Sequence, residues 1–309
     1  MKSADAKMLK MICIAIGGVA MSGCRVAPAD GKTTRTSRSS NAQVTRARPL
    51  TISLDMSFPK QSEDGTPIKA NFETVAHDVL QVVQKIFSGA KILDNRPIVC
   101  YLSSEPVPRT DCTSDPAIVW IGIVLPKESL NRLDYSRFTY QLGHELGHVL
   151  LDARRSNGLA ETLADAVSYQ TLDEMTKLWR VKYSAYQPWK DFAPQFGEYG
   201  EQRRKEWTSH LPRPIQDAAQ HGRWAEIAFY LKKRHLDLDA NPFNDEGLAL
   251  RNLSAMALRS GAVEWRNFAG IAALTDPSPS QDKRYRQDLP TDLSRASVDA
   301  RKALRRLGR

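Results

Sequence analysis

The run Tyr140-Gln-Leu-Gly-His144-Glu145-Leu146-Gly147-His148-Val149-Leu150 admits few folds. On an α-helix, residues four apart lie about 40° from one another around the axis. His144 and His148 therefore share one side, while Leu142, Leu146, Val149 and Leu150 gather on the other. Such a helix must bury its apolar side in a core and leave two imidazole rings pointing the same way. Glu145 falls about 100° round from His144, near enough to act beside the rings without being a third of the set.

Two imidazoles presented together can hold one metal ion. Zn²⁺ suits the pattern because it accepts mixed nitrogen and oxygen ligands tetrahedrally and has no redox chemistry. A zinc that does chemistry takes three protein ligands and keeps one open position. Twelve residues separate His148 from Glu161, which lies in the run Asn157-Gly158-Leu159-Ala160-Glu161-Thr162-Leu163-Ala164-Asp165. Asn157-Gly158 turns the chain, so a second helix can fold back beside the first. Glu161 and Asp165 are again four apart and share a face, with Leu159, Leu163 and Val167 packing away from it. The assignment is Glu161 as third ligand and Asp165 as acceptor for the other ring N–H of a ligand histidine. Asp165 as the ligand, or Asp152 as an assisting group, are the alternatives that this short spacing leaves.

The surrounding periodicity frames the site. Leu50–Leu54 alternates at period two, Pro97–Leu102 is short and β-branched, and Ala117–Leu125 is a run of strand formers ended by Pro126. Between the first two, residues 71–88 carry Val75, Val79, Val82, Val83, Ile86 and Phe87 at helical spacing. From about Asp134 the period is helical: 134–153, 158–181, 190–207, 214–235, 245–260 and 262–274. The fold class expected is α+β, a small mixed sheet followed by the motif helix and a mostly helical C-terminal half. The chain divides into 1–23, 24–49, 50–180, 181–275 and 276–309.

The first two of those segments read as an address and a tether. Lys2, Lys7 and Lys10 precede an eleven-residue apolar run, Met11–Met21, the layout of a secretory signal. It ends in Met21-Ser22-Gly23-Cys24, which resembles the bacterial lipoprotein cleavage box. That resemblance implies removal of residues 1–23, lipidation of Cys24 and, with Arg25 rather than Asp following, an outer-membrane protein facing the periplasm. Residues 25–49 set six Lys/Arg against Asp30 with no apolar periodicity, as a soluble basic linker does. Cys100 and Cys112 are then the pair left in an exported chain, and a disulfide between them is expected.

Composition narrows the classes further. The 309 residues carry 44 Lys+Arg against 35 Asp+Glu, a charge of +9, with 41% hydrophobic residues; wholesale disorder and a disulfide-dense mini-protein are thereby excluded. No apolar run reaches the roughly 18–20 residues that span a bilayer. After Asp276-Pro-Ser-Pro-Ser280, nine Lys/Arg face four Asp, so the tail supplies about five of the excess charges. Outside the cytoplasm that tail reads as a solvated or lipid-facing helix, and nucleic acid is not the expected partner.

HELGH followed by a helical Glu-x-x-x-Asp resembles the gluzincin branch of zinc metallopeptidases, over about residues 117–170. The resemblance implies one Zn²⁺ held by His144, His148 and Glu161, Glu145 as general base, and Asp165 orienting a histidine. It also implies a zincin-like fold, with residues 118–124 as an edge strand that pairs with an extended peptide or protein substrate. A second donor for the oxyanion is expected among Tyr169, Tyr183, Tyr186, Tyr199, His210, His221 and His235. The competing expectation is a lipoprotein of the same fold that binds envelope partners without turnover.

Overall fold

A computed structural model describes residues 50–88, 95–112, 114–151, 158–240 and 244–260. The signal, Cys24, the basic linker, Asp152, the expected helix 262–274 and the tail lie outside those residues. The described chain is α+β, a small mixed four-stranded sheet within mostly helical structure. The strands are β1 (Ile52–Leu54), β2 (Ile98–Leu102), β3 (Arg109–Asp111) and β4 (Val119–Ile123). The helices are α1 (Ile68–Ile86), α2 (Lys127–Asn131), α3 (Tyr135–Leu151), α4 (Gly158–Lys182), α5 (Gln187–Lys190), α6 (Ala193–Thr208), α7 (Arg213–Gln220), α8 (Trp224–Ala240) and α9 (Asp245–Arg259). No described helix is long and apolar enough to cross a membrane.

The sheet runs β1-β2-β4-β3. β1 and β2 are parallel, as are β2 and β4, with Ile52 opposite Ile98 and Cys100 opposite Ile121. Parallel neighbours need a crossover, and α1 supplies the first. β3 pairs antiparallel with β4, Thr110 opposite Ile121. This corrects one expectation: residues 118–124 are not an edge, because β4 is hydrogen-bonded on both sides. The edge on that side is β3, a three-residue strand too short and too polar for periodicity to reveal.

The register also removes the expected disulfide, since no bridge joins Cys100 to Cys112. Cys100 sits in β2 and Cys112 just beyond β3, with β4 between. Two strand spacings separate them laterally by about 10 Å, beyond the roughly 7 Å between Cα atoms that a disulfide spans. Cys100 is fully buried, and burial pushes its thiol far above the usual range.

One core fills the space between the sheet and helices α1, α3 and α4, and extends to α6 and part of α9. Its centre is aromatic: Phe72 meets Tyr135 and Phe138 edge-on at 5.1 Å, and Trp179 stacks on Trp189 at 5.0 Å. Asp78 of α1 is buried there and accepts from Trp179 Nε1 at 3.1 Å, Tyr183 OH at 3.1 Å and Lys182 Nζ, tying α1 to the end of α4. A second core joins α7, α8 and α9 through Leu211, Ile227, Leu231, Leu250 and Leu253. The single helix expected over 214–235 is two, broken at Gly222, whose φ of 64° only glycine adopts freely. Gly222 N bonds Ala219 O and Arg223 N bonds Ala218 O, so a Schellman stop ends α7. Asn244 caps α9 by accepting from Gly247 N at 2.7 Å.

The contact that places the site is between α3 and α4. A Cβ on Gly147 would lie 3.1 Å from the Cα of Ala164, and one on Gly143 3.3 Å from the Cα of Ser168. The two backbones therefore meet along these glycines, and Ser168 Oγ seals the contact by donating to Tyr140 O at 2.9 Å. Gly147→Val should push the helices apart and cost about 1–3 kcal/mol, the usual penalty for overpacking a tight contact. Chemical denaturation would show it as a lower midpoint with an unchanged slope; an unchanged midpoint would mean that the helices tolerate a wider spacing.

Candidate metal centre

The four polar residues expected to form the site converge. His144 Nε2 lies 3.1 Å from His148 Nε2 and 3.3 Å from Glu161 Oε2, while His148 Nε2 lies 3.4 Å from Glu161 Oε1. These three side chains can hold a metal ion, their donor atoms all close to one another. Asp165 is not part of that donor set. Its Oδ1 accepts from His144 Nδ1 at 2.9 Å, which holds one proton on Nδ1, so that a neutral ring would have the lone pair on Nε2. Between Glu161 and Asp165, it is Glu161 whose oxygens face both Nε2 atoms, and Asp165 whose Oδ1 meets Nδ1 of His144.

Glu145 is buried beside the set, 3% exposed. Thr110 of β3 donates to its Oε2 at 2.8 Å and also reaches its backbone oxygen at 3.2 Å. One carboxylate oxygen is held by the sheet edge, and the carboxylate plane is fixed with it. The two imidazoles are the most open parts of the cluster, with side chains 14% and 11% exposed.

Three groups join the site that sequence reasoning did not assign. Thr110 is one. Tyr140, a turn before His144 on the same face, brings its hydroxyl to 3.4 Å from Asp165 Oδ1. Arg251 of α9 is the third, itself only 5% exposed. It donates from Nε to Asp165 Oδ2 at 2.9 Å and from Nη2 to Asp165 Oδ1 at 3.0 Å, and Nη2 lies 3.1 Å from Glu161 Oε2. Two sequence signals point to them. Tyr140 keeps the four-residue spacing of the histidines, and Arg251 is the lone charge in the run 247–258.

Several of the expected oxyanion donors are engaged with other groups. Tyr169 OH donates to Asn252, Tyr183 OH to Asp78, and His221 pairs with Asp217. Tyr199 sets its ring tilted against that of Tyr140 at 5.9 Å, and His210 packs on Trp207.

Charges at this depth are tolerated only when paired. Burial disfavours charge on His144, yet its bonds to Asp165 and Glu161 prevail and push its pKa up to about 10. Burial likewise works against the Glu161 carboxylate, but the charges of His148 and Arg251 and the bonds from both histidines hold it well below the usual range. Asp165 is held low in the same way, chiefly by Arg251 and His144 working against burial.

No protein-family model, no curated protein and no solved structure matches this chain.

A pH signature follows for the metal-free chain. His144 titrates near 10 when folded and near 6.5 when unfolded, so its contribution to stability is complete below pH 6.5 and is lost as pH rises through about 10. Glu161 and Asp165 act in the opposite sense, contributing above their unfolded values and failing as pH falls through their depressed ones. Thermal midpoints of chelator-treated protein should accordingly decline between pH 6.5 and 10. A midpoint that climbs across that window would contradict the His144 pairing. A metal that binds through Nε2 must displace the proton from His144, so titration calorimetry in buffers of differing ionisation enthalpy should report proton release at pH 7.

Proposed function

We propose that this chain is a zinc-dependent metallopeptidase with a zincin-like, gluzincin-type site, anchored by lipid at Cys24 in the bacterial envelope and facing the periplasm. The observation that carries the reading is the donor spacing. Ligands about 2.0–2.1 Å from a tetrahedral zinc stand about 3.3–3.4 Å from each other. The spacings here are close to that: 3.1 Å between the two Nε2 atoms, 3.3 Å from His144 Nε2 to Glu161 Oε2 and 3.4 Å from His148 Nε2 to Glu161 Oε1. The donor set, two imidazole nitrogens and a carboxylate, is one that zinc takes in catalytic sites with a fourth position open. Charge supports a divalent ion. Glu145, Glu161 and Asp165 are three buried carboxylates against Arg251, and a doubly charged cation brings the group to neutrality.

His144 Nε2, His148 Nε2 and Glu161 would hold the zinc. When bound, zinc supplies Lewis-acid polarisation of a carbonyl and lowers the pKa of an adjacent water. Glu145 does the proton work. Thr110 occupies its Oε2, which leaves Oε1 to take a proton from the attacking water and deliver it to the leaving amine. Asp165 keeps His144 in the tautomer that offers Nε2. Thr110 also ties the base to β3, whose outer edge can receive an extended peptide as a further strand. A substrate paired there would run past Glu145, and the peptide backbone, common to all sequences, would supply much of the recognition.

The reading of a lipoprotein that only binds partners gains no observation of its own. A scaffold has no use for a buried carboxylate next in sequence to His144 and braced by a sheet hydroxyl.

The test uses soluble protein beginning after Cys24, as wild type and as Glu145→Gln. Both should carry one zinc per chain. Hydrolysis of a mixed peptide library should occur in wild type and fall at least ~10²–10⁴-fold in the variant, the range a general base contributes. Zinc in both with no cleavage in either would favour the scaffold, and no zinc in wild type would end the proposal.

A further inference from the structure

We propose that Arg251 is a positioning residue for the metal centre, through which loading of the metal is coupled to docking of the C-terminal helix α9. The inference rests on the metal reading proposed above and goes beyond its motif, because Arg251 lies 90 residues downstream of Glu161, in an element with a different packing role. Three of its contacts carry the argument. Nε and Nη2 grip both oxygens of Asp165 at 2.9 and 3.0 Å, and Nη2 reaches Glu161 Oε2 at 3.1 Å. One planar group thus fixes the carboxylate that ligates and the carboxylate that orients the ligating His144. Guanidinium geometry allows this; an ammonium, a point charge, cannot hold two carboxylates in fixed planes at once.

The guanidinium cannot be a surface partner that happens to lie near, since Arg251 is 5% exposed. Nor is it free to relax, because α9 is packed on both sides. Leu250, Leu253 and Ala257 belong to the second core with α7 and α8, while Ala255 and Leu258 belong to the first core with α3 and α4. Asn252, the next residue, accepts from Tyr169 OH of α4. The position of Arg251, and so the orientation of Glu161 and Asp165, is decided by how α9 seats. Linkage makes the coupling reciprocal: whatever fixes Glu161 and Asp165 in turn fixes Arg251 and the helix that bears it.

The experiment measures zinc affinity by competition with a chelator, without reference to activity, in wild type, Arg251→Lys and Arg259→Lys. Arg259 lies on the same helix but pairs with Asp173, away from the ligands, so it reports general seating of α9. Arg251→Lys should bind zinc about 10–100-fold more weakly, the usual effect of losing a group that orients ligands, while Arg259→Lys should bind as wild type does. Backbone hydrogen exchange of wild type, with and without zinc, tests the coupling even if a variant fails to fold, and exchange across residues 247–258 should slow on loading. Unchanged affinity in Arg251→Lys, an equal loss in Arg259→Lys, or protection confined to α3 and α4 would each overturn the proposal. Absence of zinc binding by wild type would instead remove the metal reading, and this inference with it.

Discussion

Glu145, Glu161 and Asp165 stand together where no more than 6% of any of them meets solvent. Bringing three carboxylates this deep costs several kilocalories per mole each unless the charges are balanced and hydrogen-bonded. Much of the described structure serves that balance. Arg251 supplies one permanent positive charge, His144 can supply another, Tyr140 adds a neutral hydrogen bond to Asp165 Oδ1 and Thr110 donates one to Glu145 Oε2. In the metal-free chain His144 holds a proton, with its pKa near 10; a divalent cation would take over that role and restore the imidazole as a ligand. Proton and metal are alternative ways of satisfying the same buried negative charge.

The scaffold that permits this is a close helix pair. Gly143 and Gly147 let α3 approach α4 until a Cβ on either would crowd the opposing backbone. Only at that separation do nitrogens from one helix and oxygens from the other come within 3.4 Å. The apolar sides of both helices are anchored in the aromatic core, and Asp78 pins the far end of α4 to α1. From the other flank, Gln141 grips β4 by accepting from Val124 N and donating to Val124 O, which sets the sheet against α3. β3 then lies where Thr110 can touch Glu145. The sheet edge contributes a donor to Glu145, the motif helix the two histidines with Glu145, and the following helix the carboxylates of Glu161 and Asp165.

Much of the fold was legible in the pattern of residues. Strands and helices fall within a few residues of where periodicity puts them, as with β2, β4, α3 and α4. What escaped has a common physical character. β3 spans Arg109–Asp111, three polar residues with no alternation to detect. The division of α7 from α8 turns on the backbone of one glycine inside an otherwise helical pattern. The disulfide expected between Cys100 and Cys112 fails because strand order, not sequence distance, sets their separation: β4 inserts between the strands that carry them. The same insertion moved the sheet edge from residues 118–124 to β3.

The sequence by itself determined the candidate site residues and their grouping in pairs. The four-residue spacing of His144 with His148, and of Glu161 with Asp165, is a local consequence of helix pitch and needs no tertiary information. Only the tertiary structure decided which carboxylate faces the imidazole nitrogens and which one backs them, since both lie on one face of α4. It alone brought Thr110 to Glu145 and Arg251 to Glu161 and Asp165, from 35 and 86–90 residues away in the chain. Those contacts depend on strand order and on how α9 packs between two cores. A pairing of charges across such distances leaves no periodic trace in a sequence, because it is the sum of burial everywhere else that makes it necessary.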